Sequence, residues 1–196
     1  VYICTLTAGA CATGSVSAVP NFSNAFGVAG DSSGRIYVTD SSGHRVVRIN
    51  EAVGATPASL TTVFGTGSAG TSSTGCGRVL NTATTSNPKG IVADSSGNLW
   101  ISSDNCIRKL TMVNGAATGV AGVIGTWGSG MSNSGTVKFN NITALNTDAG
   151  GNLIIADASN GRLRTMTTSG EDSSWTVSTT MRFAYPDHAQ AWGGDD

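Results

Sequence analysis

Three aspartates at one repeated place are the first candidates for chemistry. Asp31, Asp94 and Asp148 each follow an apolar stretch and precede small residues and a glycine, in GVAGDSSGRIYVTD, GIVADSSGNLWISS and ALNTDAGGNLIIAD. A ring of such acids around a channel could hold a divalent cation. Their neighbours assign a simpler role. Asp starts a tight turn by accepting bonds from turn amides, and Gly takes the left-handed backbone that other residues avoid. They are read as turn residues, and no metal site is assigned.

The histidines offer little more. His44 falls in a turn between strands, and His188 lies in the terminal PDHAQAWGGDD with Asp187, Asp195 and Asp196, which is read as a solvated tail rather than a cation site. Neither histidine accompanies a nucleophile motif; GxSxG and HExxH are absent. The glycine loops GTGSAG (65–70) and GTWGSG (125–130) are not followed by the helix that phosphate cradling requires. The reading is therefore no catalytic residue, no cofactor and no enzyme.

Other residues carry covalent or contact chemistry. Cys4, Cys11, Cys76 and Cys106 lack zinc spacings. An even count in a chain rich in Gly, Ser and Thr reads as two disulfides, which form outside the cytosol. Asn21-Phe22-Ser23 and Asn141-Ile142-Thr143 have the form of N-glycosylation acceptors. Trp127 stands in a glycine loop, and Trp175 and Trp192 lie near the C-terminus; these three are the candidates for contact with a partner.

Composition narrows the partners. With 11 basic and 12 acidic residues the net charge is -1, so nothing favours nucleic acid or an anionic membrane surface. No run is apolar for long enough to make a membrane-spanning helix. Only 12% of residues are charged, low for a cytosolic surface. The chain starts at Val1 without a Met, which fits either a removed signal sequence or a piece of a longer protein. The expected location is extracellular or on the cell surface.

The elements that position these residues are strands. Each copy of the phrase reads strand, turn, strand, and a third strand follows it: HRVVRIN from His44, CIRKLTM from Cys106 and GRLRTMT from Gly161. A β-rich segment and a Gly/Ser/Thr loop precede each copy. Short strands between glycine-rich turns, with no amphipathic helical stretch, mean an all-β fold. Four antiparallel strands per unit is the pattern of a propeller blade. Blades are placed at 26–67, 89–126 and 142–181. Tyr37 and Trp100 share one repeat position, where blade three has Ile154, and are expected to pack between blades.

The recurring Asp-Ser-Ser-Gly turn, the small-Asp ending of the second strand and the Arg-apolar-Arg of the third resemble the NHL repeat. The GTGSAG loop leading through Asn87-Pro88 into Gly90-Ile91 does so too. The resemblance runs from the first strand to about Thr168 and implies a β-propeller, usually of six blades; it implies no single activity.

Comparison between copies isolates a brace. Asp40 and Asp157 end the second strand, and Arg45 and Arg162 follow at the same offset, so each pair is expected to join strands two and three. In the second copy Ser103 and Cys106 replace both partners. A Cys76–Cys106 disulfide is expected to substitute there, with Cys4–Cys11 closing a loop at the N-terminus; the other two pairings stay open on sequence alone.

The chain is thus expected to hold about three four-stranded NHL-like blades over 1–182, with residues 183–196 as a tail or the start of a further blade. VYICTLT at the front is expected to be the outer strand of a preceding blade. Three blades form a segment or open arc whose end faces need covering. The function expected is non-catalytic binding and assembly, with self-association into a ring or filament, or partnership with other extracellular proteins or glycans. The alternatives are a propeller lyase or hydrolase with a channel metal, and a carbohydrate-binding module stacking sugars on Tyr37, Trp100 and Trp127.

Overall fold

In each of three sheets the repeated phrase forms two adjacent strands and the turn between them. The structure, a computed structural model, describes residues 22–50, 59–69, 85–103, 105–127, 137–169 and 174–183, with four short strands in the first 18 residues. The first sheet contains β1 (Ala25–Gly30), β2 (Ile36–Asp40), β3 (Arg45–Asn50) and β4 (Ser59–Phe64). The second contains β5 (Pro88–Ala93), β6 (Leu99–Ser103), β7 (Cys106–Val113) and β8 (Ala116–Ile124). The third contains β9 (Ile142–Thr147), β10 (Leu153–Asp157), β11 (Arg162–Met166) and β12 (Val177–Arg182). Each is an antiparallel meander paired in chain order. The chain is all-β, an arc of three propeller blades.

Turn chemistry sets these hairpins. Gly34, Gly97 and Gly151 take φ of 77°, 79° and 79°. Each donates its N–H to the carbonyl of the turn aspartate three residues earlier, at 2.9–3.0 Å. Between β7 and β8, Asn114 and Gly115 are both left-handed, the two-residue turn that suits twisted antiparallel strands. At the front of the chain Tyr2–Ile3 pairs with Ser17–Ala18 and Leu6–Thr7 with Ala10–Cys11.

Apolar residues alternate along the strands, and both faces of the middle sheet are buried. Tyr37, Val63 and Phe64 of blade one pack on Leu99, Ile101 and Leu110 of blade two. Trp100 and Ile107 of blade two pack on Leu145, Leu153 and Ile155 of blade three. Tyr37 and Trp100 are 0% and 1% exposed, which places both in blade-to-blade packing.

A polar latch accompanies each apolar interface. The Thr39 hydroxyl accepts the Gly27 N–H at 2.7 Å and donates to the Lys89 carbonyl of the next blade at 2.8 Å. The Ser102 hydroxyl accepts the Gly90 N–H at 2.8 Å and donates to the Ile142 carbonyl of blade three at 3.3 Å. The glycines let the inner strands approach. A Cβ on Gly27 would stand 2.3 Å from the Lys89 oxygen, and one on Gly90 would stand 2.8 Å from the Leu145 nitrogen.

Because the latch is buried, its loss leaves unpaired groups. Thr39→Val is expected to cost about 1–3 kcal/mol by orphaning an N–H and a carbonyl. Gly90→Ala is expected to cost about 1–3 kcal/mol through overpacking. Urea unfolding checks both, and midpoints equal to wild type would refute the latch.

Candidate functional site

The repeated aspartates are turn residues in the structure. Asp31 Oδ1 accepts the Ser33 and Arg35 N–H groups at 2.9 and 3.0 Å, and Asp94 Oδ1 those of Ser96 and Asn98 at 3.0 and 2.9 Å. Asp148 Oδ1 takes those of Gly150 and Asn152 at 2.9 and 2.8 Å. The second oxygen reaches along the following strand. Asp31 Oδ2 accepts the Tyr37 hydroxyl at 3.0 Å, and Asp94 Oδ2 accepts the Trp100 indole N–H at 3.2 Å. The turn therefore also fixes the aromatic ring that fills the blade interface.

At the opposite ends of β2 and β10 stand buried carboxylates. Asp40, 0% exposed, accepts the Ser23, Asn24 and Gly43 N–H groups and pairs with Arg45 Nε at 3.1 Å. That is the expected brace. In blade three the ladder sets Asp157 opposite Arg162, but the ion pair is made by Arg164 Nη1 at 3.2 Å. Arg162 donates to Thr179 at 3.3 Å. Comparison by offset alone missed this because blade one has Val47 at the matching place, leaving Arg45 as its cation. Arg164 reaches back along the face, bonds the Lys138 carbonyl at 2.8 Å and lies 5.0 Å from the Phe139 ring centre. Desolvation lowers the Arg164 pKa, and Asp157 opposes that shift.

Blade two is modified similarly. Cys106 sits opposite Ser103 in the ladder, where the other blades have Arg opposite Asp. Yet an arginine remains: Arg108 donates to Ser103 and faces the Phe64 ring at 5.7 Å. The cysteine therefore does not replace the brace by itself. The Cys106 sulfur is disulfide-bonded. Cys4 and Cys76 lie outside the described residues, as does the Cys11 side chain.

The remaining candidates separate. Trp175 is 7% exposed, with its ring centre 4.9 Å from that of Trp100, so it belongs to the core and not to a contact surface. Its neighbour Val177 is apolar and starts β12, which draws the ring inward against blade two. The Trp127 side chain, Trp192, His188 and Asn21 lie outside the described residues. Asn141 is half-buried between blades, where its Oδ1 accepts Lys89 Nζ and its N–H donates to Asn105 at 3.0 Å. The His44 Nδ1 accepts the Asn87 N–H at 3.3 Å. Among the described residues no group of three or more His, Cys, Asp or Glu could hold a metal.

The surface that differs most from its repeat equivalents is the inner strand of blade one. Ile91 and Leu145 are 5% and 8% exposed because a preceding blade covers them. Val28, at the same repeat position, is 69% exposed, and Phe26 beside it is 50% exposed. The outer part of this face is closed: Val38, Val47 and Ile49 are buried, with Phe22 and Leu60 against them. The opening is therefore an apolar edge along β1, flanked by Lys89, whose ammonium lies 5.8 Å from the Phe26 ring centre.

Burial opposes ionisation of Asp31, but its bonds from the Arg35 backbone and guanidinium, the Tyr37 hydroxyl and Ser33 outweigh that and lower its pKa. The Asn152 side-chain amide and N–H, with the Gly150 and Gly151 N–H groups, lower that of Asp148. A carboxyl with a lower pKa when folded stabilises above its unfolded value, about 4, and loses that contribution as pH falls through the folded value. Unfolding midpoints are expected to drop below about pH 4, and Asp148→Asn to flatten part of that drop. Arg164→Met, which leaves Asp157 without its cation, is expected to cost about 3–5 kcal/mol in urea unfolding at neutral pH.

Residues 22–49 match the family described as NHL repeat. No curated protein sequence matches the chain. Among solved structures, virginiamycin B lyase from Staphylococcus aureus is similar at 17% identity and a TM-score of 0.53, over 87% of this chain and 45% of that one. An auxiliary nutrient binding protein from Bacteroides thetaiotaomicron VPI-5482 is similar at 20% identity and a TM-score of 0.50, over 78% and 36%. One from Bacteroides ovatus is similar at 15% identity and a TM-score of 0.50, over 79% and 37%. The chain spans under half the length of each, and at these identities the likeness is one of fold. The chain carries an NHL repeat at residues 22–49 and folds as a β-propeller arc.

Proposed function

We propose that this protein is a non-catalytic binding and assembly propeller that works outside the cytosol through the apolar edge its blades leave open. The observation that carries this reading is Val28, 69% exposed where its repeat equivalents are 5% and 8% exposed. An isolated exposed valine means little, but an exposed residue at a position the fold otherwise buries marks a docking edge. A second copy of the chain is the simplest partner, and self-association the first activity to seek.

The described side chains support binding over catalysis. Among the described residues the repeated and buried carboxylates are held by turn amides and arginines. The cleft between the turns of blades one and two, about 210 Å³, is lined by Asp31, Arg35 and serines already engaged in turn structure. The disulfide at Cys106, the low charge and the two sequons support an exported protein. Sugar attachment at Asn21 and Asn141 belongs to the same proposal; at Asn141 it takes Nδ2 and leaves Oδ1 to accept Lys89.

Sedimentation velocity over a wide concentration range tests the reading. Mass is expected to rise with concentration, and Val28→Asp to weaken association by at least about tenfold, by placing a charge in a desolvated contact. A chain that stays monomeric throughout would contradict self-association.

A further inference from the structure

The three blades do not present the same face to whatever follows them. Blades one and two carry Gly27 with Thr39 and Gly90 with Ser102, and with these they latch the next blade. Blade three has Ala144 at the glycine position and Ala156 at the hydroxyl position. It also has Ile154 where Tyr37 and Trp100 fill the earlier interfaces. Ala144 is exposed, and Ile154 and Ala156 are half-buried.

These changes bear on both halves of the latch. The methyl of Ala144 projects where a Cβ at Gly27 would come within 2.3 Å of the neighbouring carbonyl oxygen. A strand docking on blade three must therefore stand further off. Ala156 then has no hydroxyl with which to donate to that strand's carbonyl. Blade three is a poor neighbour for another inner strand, whereas β1 keeps the apolar residue of a strand that expects one: Val28 corresponds to Ile91 and Leu145.

We infer that the open edge at β1 is selective for a propeller blade presenting an inner-strand glycine and a second-strand serine or threonine, and that this chain's own third blade is a weakened version of that partner. The inference rests on the proposed use of the β1 edge and extends the blade contact already formed twice within the chain. Contacts between copies are accordingly loose, and a blade with the complete latch displaces them.

The test restores the latch. In Ala144→Gly/Ala156→Thr the third blade acquires both features, at positions exposed enough to leave the chain's own blades undisturbed. Thermal melting checks that the variant folds, and Ala144→Gly/Ala156→Ser, with the smaller hydroxyl residue that blade two uses, is the second variant should the first fail. Sedimentation velocity is expected to show self-association at least about tenfold tighter than wild type, lost when Val28→Asp is added. Equal association of variant and wild type, or no association of either, would overturn the latch as the selective element. If wild type still associated in a Val28-dependent way, the edge reading would survive that result. Association indifferent to Val28→Asp would remove the edge reading and this inference together.

Discussion

Blades stay together here because two inner strands are allowed to approach closely and a hydroxyl then joins them. At each interface a glycine removes the side chain that would block the approach, and Thr39 or Ser102 binds the N–H of that glycine and a carbonyl of the next blade. The apolar interface supplies most of the free energy, as burial generally does. It does not fix distance or stagger, whereas the latch does both. The aromatic position follows from it, because Tyr37 and Trp100 fill the gap beside the latch while the turn aspartates hold their polar ends.

The buried charges belong to the same construction. Asp40 and Asp157 take up N–H groups of the segments entering their blades, at Ser23 and Asn24 and at Asn140. An arginine neutralises each. Such pairs are weak sources of net stability but costly to break, which makes them fixers of geometry. Blade two keeps the arginine, Arg108, and places the Ser103 hydroxyl where the other blades have the acid.

Much of this was legible in the sequence because the repeat supplies its own alignment. The turns at Asp31, Asp94 and Asp148, the three meanders and the inter-blade place of Tyr37 and Trp100 all follow from local chemistry repeated in register. What was not legible depended on reach. Arg162 and Arg164 share a strand face, and only the conformation of a long side chain decides which guanidinium meets Asp157. Trp175 lies in a segment with no repeat equivalent, so nothing in the pattern indicated that it turns inward onto Trp100. The latch could have been found from Gly27/Thr39 and Gly90/Ser102, but glycine and hydroxyl residues are so common in this chain that their coincidence carried no signal.

The β1 edge is the proposed meeting place of this propeller arc and its partner. Hydrogen–deuterium exchange of the intact protein at low and high concentration examines that edge itself. Added protection at high concentration is expected, centred on residues 25–30, where Phe26 and Val28 are uncovered. Unchanged exchange across 25–30 while mass increases would refute docking at β1.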